Sequence, residues 1–243
     1  MPMLRQLKLV LSAAALHFLS TGAMAETLSL VTEDAPPGTS VIGSDGQITG
    51  FAAEIVREAL KRAGIDSSMA IHPWPRAYFM ALTLRDTCVF AAVRSEEREA
   101  LFKWVGPIAM DRWTIYGRSD SPQLADIAEL RGHPVGGYFG DAATNYLKDQ
   151  GVAVDEVSDN RTNPKRLAAR RIDYWVNGSL SANRIAQDAG AVEIVPLLQI
   201  KEVPLALACN RSVSDRTIQR MNAALHTLVE DGTAGAVIKR FAD

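Results

Sequence analysis

The sequence predicts an α/β fold in two lobes, each a mostly parallel sheet flanked by helices. Three observations lead there. The spacing of apolar residues switches repeatedly between two and about 3.6, as it does where strands alternate with helices. Strand and helix series of this kind occur twice in succession, and one further strand with two helices follows the second. Two lobes result if the closing segment returns to the first series, although three consecutive layers of one domain would produce the same pattern.

The first series opens with Thr27 to Val31, which alternates as a strand. After a loop rich in proline, glycine and serine, Phe51, Ile55, Ala59 and Ala63 recur at helical spacing, and Gly64 stands where a helix stops. Met69 to His72 is a short strand, Pro75 suits a first helical turn, and Thr87 to Val93 is a third strand. A βαβαβ run implies parallel pairing.

In the second series Arg112 to Tyr116 is extended, and Asp126 with Glu129 forms a capping-box pattern before a short helix ended by Gly132. Pro134 to Tyr138 is a strand, Ala142 to Gln150 a helix closed by Gly151, and Val152 to Val157 a strand. Asn163-Pro164 opens a helix, Tyr174 to Val176 is a buried strand, Ser179 or Ser181 caps another helix, and Val192 to Val195 is a short strand. This series is expected to form its own sheet. Leu205 to Cys209 is the closing strand, followed by a helix with Ile218, Met221, Leu225 and Leu228 on one face and Gly232 at its end, then by a last helix. The lobes then comprise Glu26 to Asp111 plus Lys201 to Asp243, and Arg112 to Ile200, with crossings near Met110 to Trp113 and Leu198 to Pro204.

Ahead of all this, Arg5 and Lys8, the apolar run Leu9 to Leu19 and Ala23-Met24-Ala25 read as a cleaved export signal occupying residues 1–25. The eleven-residue run is short against the roughly 20 residues that span a bilayer. No cysteine lies near the cleavage site to carry a lipid, so a soluble periplasmic product is expected. Without Arg5 and Lys8, the 26 basic residues become 24 against 28 acidic ones, a balance that argues against nucleic acid or an anionic membrane as partner. His72, His133 and His226 lack metal-ligand spacing, and neither metal nor cofactor is expected. Cys88 and Cys209 would stand in a compartment that permits disulfides.

More specific are the segments Gly46-Gln47-Ile48-Thr49-Gly50-Phe51, Pro73-Trp74-Pro75-Arg76-Ala77, Arg94-Ser95-Glu96-Glu97-Arg98-Glu99 and Phe102-Lys103-Trp104-Val105-Gly106-Pro107. Leu130-Arg131-Gly132, Ala169-Arg170-Arg171-Ile172-Asp173 and Asp231-Gly232-Thr233 follow in order. Together they resemble the polar amino-acid branch of the bacterial extracellular solute-binding proteins, family 3. The resemblance implies a type II periplasmic binding fold and a non-catalytic, monomeric clamp for a small polar solute, amino-acid-like or carboxylated, that serves an inner-membrane ABC permease. It also implies that the strand bearing Cys209 returns antiparallel beside the one bearing Cys88, which makes a disulfide between them possible; two free thiols are the other reading.

In that family an arginine three positions after a Thr or Ser forks onto the ligand carboxylate, and Ser95-x-x-Arg98 matches the pattern. The same charges would also suit a solvated helical turn. Glu33 and Asp34 follow the first strand, where open α/β sheets place ligands, and could face a cationic group or form a polar turn. Family members usually carry an aromatic there; with Ala35 and Gly38 in its place, Trp74 and Arg76 could supply the wall, or Trp74 could cover the core. Asp141 follows Gly136-Gly137-Tyr138-Phe139-Gly140, either capping a helix or meeting the ligand. Amino-acid binders place an Asp shortly after the segment equivalent to Arg171-Ile172-Asp173, to receive the ligand's ammonium. Here Gly178 stands at or near that position beside Asn177, itself a neutral ligand contact or a cap, so ordinary amino-acid specificity is in question.

Two rivals remain. The fold also serves dehydratases, and Glu33, Asp34 and Asp141 could do acid and base work, yet there is no nucleophile elbow, Ser-x-x-Lys or dinucleotide fingerprint. A soluble clamp could instead present its ligand to a separate membrane sensor.

Overall fold

The computed structural model describes residues 27–34, 39–190 and 194–241. The export signal expected over residues 1–25, together with Ala35 and Gly38, lies outside them. The elements in chain order are β1 (Leu28–Thr32), β2 (Val41–Ile42), β3 (Ile48–Thr49), α1 (Phe51–Ala63), β4 (Ser67–Ile71), α2 (Trp74–Thr83), β5 (Thr87–Val93) and the single turn α3 (Glu96–Glu99). There follow β6 (Lys103–Arg118), β7 (Val135–Tyr138), α4 (Ala142–Asp149), β8 (Val154–Val157), α5 (Asn163–Ala168) and β9 (Tyr174–Gly178). The chain closes with α6 (Ala182–Asp188), β10 (Ile194–Cys209), α7 (Asp215–Glu230) and α8 (Thr233–Phe241).

Local sequence explains most of these. In α1 the apolar face Ile55, Val56, Ala59 and Leu60 is buried, and Gly64, at φ 62°, closes the helix by donating its N–H to the Lys61 carbonyl. Ser214 starts α7 by accepting the Thr217 N–H at 3.1 Å. Asp126 and Glu129 cap a 3₁₀ turn over Ile127–Leu130, each one residue out of capping-box register: Asp126 accepts from the Ala128 N–H, and Glu129 from that of Ala125.

The main sheet has eight strands in the order β4-β1-β5-β10-β6-β9-β7-β8. On one side β4, β1 and β5 pair in parallel, and on the other so do β9, β7 and β8. The antiparallel pair β10 and β6 joins them. The closing segment does return, since β10 runs antiparallel to β5 and Arg62 of α1 meets Asp231 beyond α7 at 2.6 Å.

One expectation is corrected. The second series does not form a detached sheet, because β6 and β10 are 16-residue strands that stay hydrogen-bonded through both crossings, with Trp113 opposite Lys201 and Met110 opposite Pro204. The ladder slips between Pro196 and Leu198, Gln199 and Lys201, and Leu205 and Leu207, so the continuous pair is irregular where the two halves meet. Cys88 and Cys209 stand directly opposite one another on β5 and β10 and form a disulfide. Among the described residues no helix is long and apolar enough to cross a membrane.

Candidate ligand-binding site

The carboxyl ends of β1 and β4 from one side of the sheet face those of β7, β8 and β9 from the other, which is where parallel strands leave room for ligands. They enclose a cavity of about 370 Å³, within the range that holds a small solute. Of the residues singled out in the sequence, Glu33, Asp34, Trp74, Asp141 and Asn177 line it.

Several of these already bridge the two halves. Tyr138 donates its hydroxyl to Glu33 Oε2 at 3.0 Å, Arg161 approaches Asp34 at 3.5 Å, and the Trp74 indole donates to the Gly140 carbonyl at 3.1 Å. Asp141 both lines the cavity and caps α4, accepting from the Ala143 and Thr144 N–H groups. Asn177 accepts from Asn160 and donates to Ser181 and the Gly178 carbonyl, so its amide holds the wall together.

Arg98 and Arg76 do not line the cavity. The Arg98 side chain, on a residue only 6 % exposed, lies 5.7 Å from the Trp74 ring centre and 5.0 Å from that of Tyr78, and it donates to the Gly140 carbonyl at 3.3 Å. Aromatic faces and a loop carbonyl from the opposite half occupy the guanidinium expected to meet a carboxylate. Arg76 is exposed because positions two apart on a helix point to different faces, and α2 turns Trp74, Ala77 and Ala81 inward. Arg98→Ala is therefore expected to cost about 2 kcal/mol of stability, the scale of a hydrogen bond to a charged group. Chemical denaturation measures this, and an unchanged midpoint would count against the bridging role.

Two carboxyls and a guanidinium complete the charge pattern in ways the sequence did not announce. Asp111 and Asp159 join Glu33, Asp34 and Asp141, giving five acidic side chains against the single arginine Arg161. Arg161 is itself held by Asp159 at 2.9 Å. Burial pushes Glu33 up from 4.5 to about 8, opposed by the Tyr138 hydrogen bond and reinforced by Asp141 and Asp34. Burial also raises Asp111 and Asp141 above the usual aspartate range. Among the described residues no three of His, Cys, Asp and Glu converge to hold a metal ion. An acidic, half-enclosed site of this size suits an organic cation.

Comparison with known proteins agrees with this architecture. The family model described as bacterial extracellular solute-binding proteins, family 3, matches residues 28–243. The L-cystine-binding protein TcyA of Bacillus subtilis (strain 168) is 18 % identical over 195 residues, covering 80 % of this chain and 73 % of that protein. A histidine kinase sensor domain similar to periplasmic binding proteins superposes with a TM-score of 0.81 at 20 % identity, covering 88 % of this chain and 95 % of that one. An ancestral arginine-binding protein bound to arginine gives 0.78 at 18 % identity, with 90 % and 99 % covered.

Proposed function

Because the chain belongs to the bacterial extracellular solute-binding proteins, family 3, we propose that it captures a small, positively charged solute reversibly and without turnover. The supporting observation is the lining itself, five acidic side chains against one arginine. Carboxylates, and carboxyl groups that a bound cation would ionise, favour a positively charged ligand in a partly desolvated cleft, which a carboxylate-only solute cannot supply. The relatives' ligands, cystine and arginine, both carry ammonium groups, so a cationic amino acid or amine falls within the same chemistry.

On this reading residues 26–111 with 201–243 form one lobe and 112–200 the other, moving about the irregular stretches of β6 and β10. The solute is bound by both lobes and shifts the clamp toward closure only by its stronger interaction with the closed form. The protein works in the periplasm, as a monomer, delivering its load to an inner-membrane ABC permease. Presentation to a membrane sensor would use the same cavity, and uptake of labelled solute by cells lacking the protein separates the two roles.

A thermal-shift series with L-arginine, L-lysine, putrescine, citrate and succinate tests the ligand class. At a hundredfold excess over Kd, a bound cation should add about 2.7 kcal/mol, or roughly 5 to 10 °C for a chain of this size. Stabilisation by citrate or succinate alone would defeat the cationic reading.

A further inference from the structure

Asp111 sits on β6 at the crossing between the halves, 8 % exposed, with its side chain on the cavity. Its two oxygens differ. Oδ1 accepts the Arg112 N–H at 2.8 Å, the Leu180 N–H at 3.1 Å and the Ser179 hydroxyl at 3.2 Å. Oδ2 accepts no hydrogen bond from the described residues, and no basic side chain among them pairs with the carboxylate. Even the adjacent Arg112 turns to Glu202, at 3.6 Å.

The position of that carboxylate depends on Gly178, at the end of β9. A β-carbon at 178 would stand 2.9 Å from Asp111 Cγ and overlap Oδ2, so a side chain there and this carboxylate exclude one another. The glycine is thus the space into which Asp111 reaches. Three donors on Oδ1 fix the group and favour its ionised form, against the burial that disfavours it. A buried carboxylate held in this way, one oxygen without a hydrogen bond on a residue that lines the cavity and no cation beside it, is completed by a cation from outside.

We propose that Asp111, in the room left by Gly178, receives a primary ammonium of the captured solute on Oδ2. The proposal rests on the solute being a cation and adds which group of it is read at the crossing. One free oxygen suits a compact ammonium, whereas a guanidinium pairs best with two oxygens side by side. Because Asp111 lies where both halves meet, the contact forms next to the segment that must bend when the clamp moves.

Calorimetric titration of wild type and Asp111→Asn with L-lysine, L-arginine and putrescine tests this, with 5-guanidinopentanoate, which is L-arginine without its α-ammonium, as control. Asn keeps the shape and the Oδ1 acceptor while removing the charge. Asp111→Asn is expected to weaken each ammonium ligand that wild type binds by about tenfold or more. The control should change by less than about threefold, or fail to bind both proteins. Gly178→Ala retains the aspartate but denies it the site, and the same selective loss is expected, with melting temperatures confirming that each variant is folded. Undiminished ammonium binding by Asp111→Asn, or an equal loss for the control, overturns the proposal and leaves the cationic reading standing. Wild-type protein that binds none of the three ammonium ligands overturns both.

Discussion

Binding of a cationic solute is expected to release a proton near neutral pH and to tighten as pH rises toward about 8. The cause is Glu33, half-buried between the two halves and pushed up from 4.5 to about 8 chiefly by that burial, with Asp141 and Asp34 adding repulsion. The Tyr138 hydroxyl on Oε2, which favours the ionised form, is too little to offset them. Without a ligand Glu33 is therefore mostly neutral at pH 7. A cation in the cavity stabilises the carboxylate and lowers its pKa, so below about pH 8 capture expels up to one proton. Affinity should then rise by up to about tenfold per pH unit below that value and level off above it.

The empty protein should respond in the opposite direction. Its folded state holds a proton on Glu33 between about 4.5 and 8 that the unfolded chain has lost, so stability is fullest below about 4.5 and declines as pH rises through about 8. Glu33→Gln cannot ionise, and it should flatten both profiles across this window. Titrations in two buffers of different ionisation enthalpy give the proton count directly. Proton uptake on binding, or a wild-type affinity indifferent to pH between about 6 and 8, would show that Glu33 is not coupled to the ligand.

The contrast between Glu33 and Asp111 shows what could be read from residues alone. Glu33 and Asp34 follow an alternating strand, and the carboxyl end of a parallel strand is a position with a known consequence, so their approach to the cavity was legible. Asp111 acquires its role from Gly178, 67 residues further on, and from a pairing of β6 with β9 that no local pattern encodes. Its one local signal was the charged pair Asp111-Arg112 inside the otherwise largely apolar stretch Ile108 to Tyr116. Arg98 fitted a recognised spacing, but the direction of its side chain depends on Trp74 and Tyr78 from another helix. The long strands escaped for a related reason. Pro107, Pro196 and Pro204 interrupt the alternation, as do the charged residues Asp111, Arg112, Lys201 and Glu202, leaving fragments that read as separate short strands. The helices were easier because their caps and apolar spacing lie within a few residues of each other.

Replacing both Cys88 and Cys209 by alanine is expected to cost about 5 kcal/mol of stability while leaving ligand affinity within about twofold of wild type. The bridge links the ladder partners Cys88 and Cys209 on β5 and β10, 121 residues apart, and neither cysteine lines the cavity. The loop it closes contains most of β5 and all of β6 through β10, so in the unfolded chain it restrains everything that lies beyond the crossings. In the loop-entropy model a closure of this length is worth about 5 kcal/mol. That is a large share of the roughly 5 to 15 kcal/mol available to a folded protein, enough to bring the variant close to unfolding at 37 °C. Both ends sit in the β5 and β10 part of the sheet, so removing the bridge should not alter how the two halves approach one another. Urea denaturation of the oxidised protein and the double variant measures the stability term, and titration with a cationic ligand below the variant's melting temperature measures the other. Equal stability of the two proteins, or two thiols free to alkylate in protein taken from the periplasm, would remove the bridge from the account of what holds this fold together.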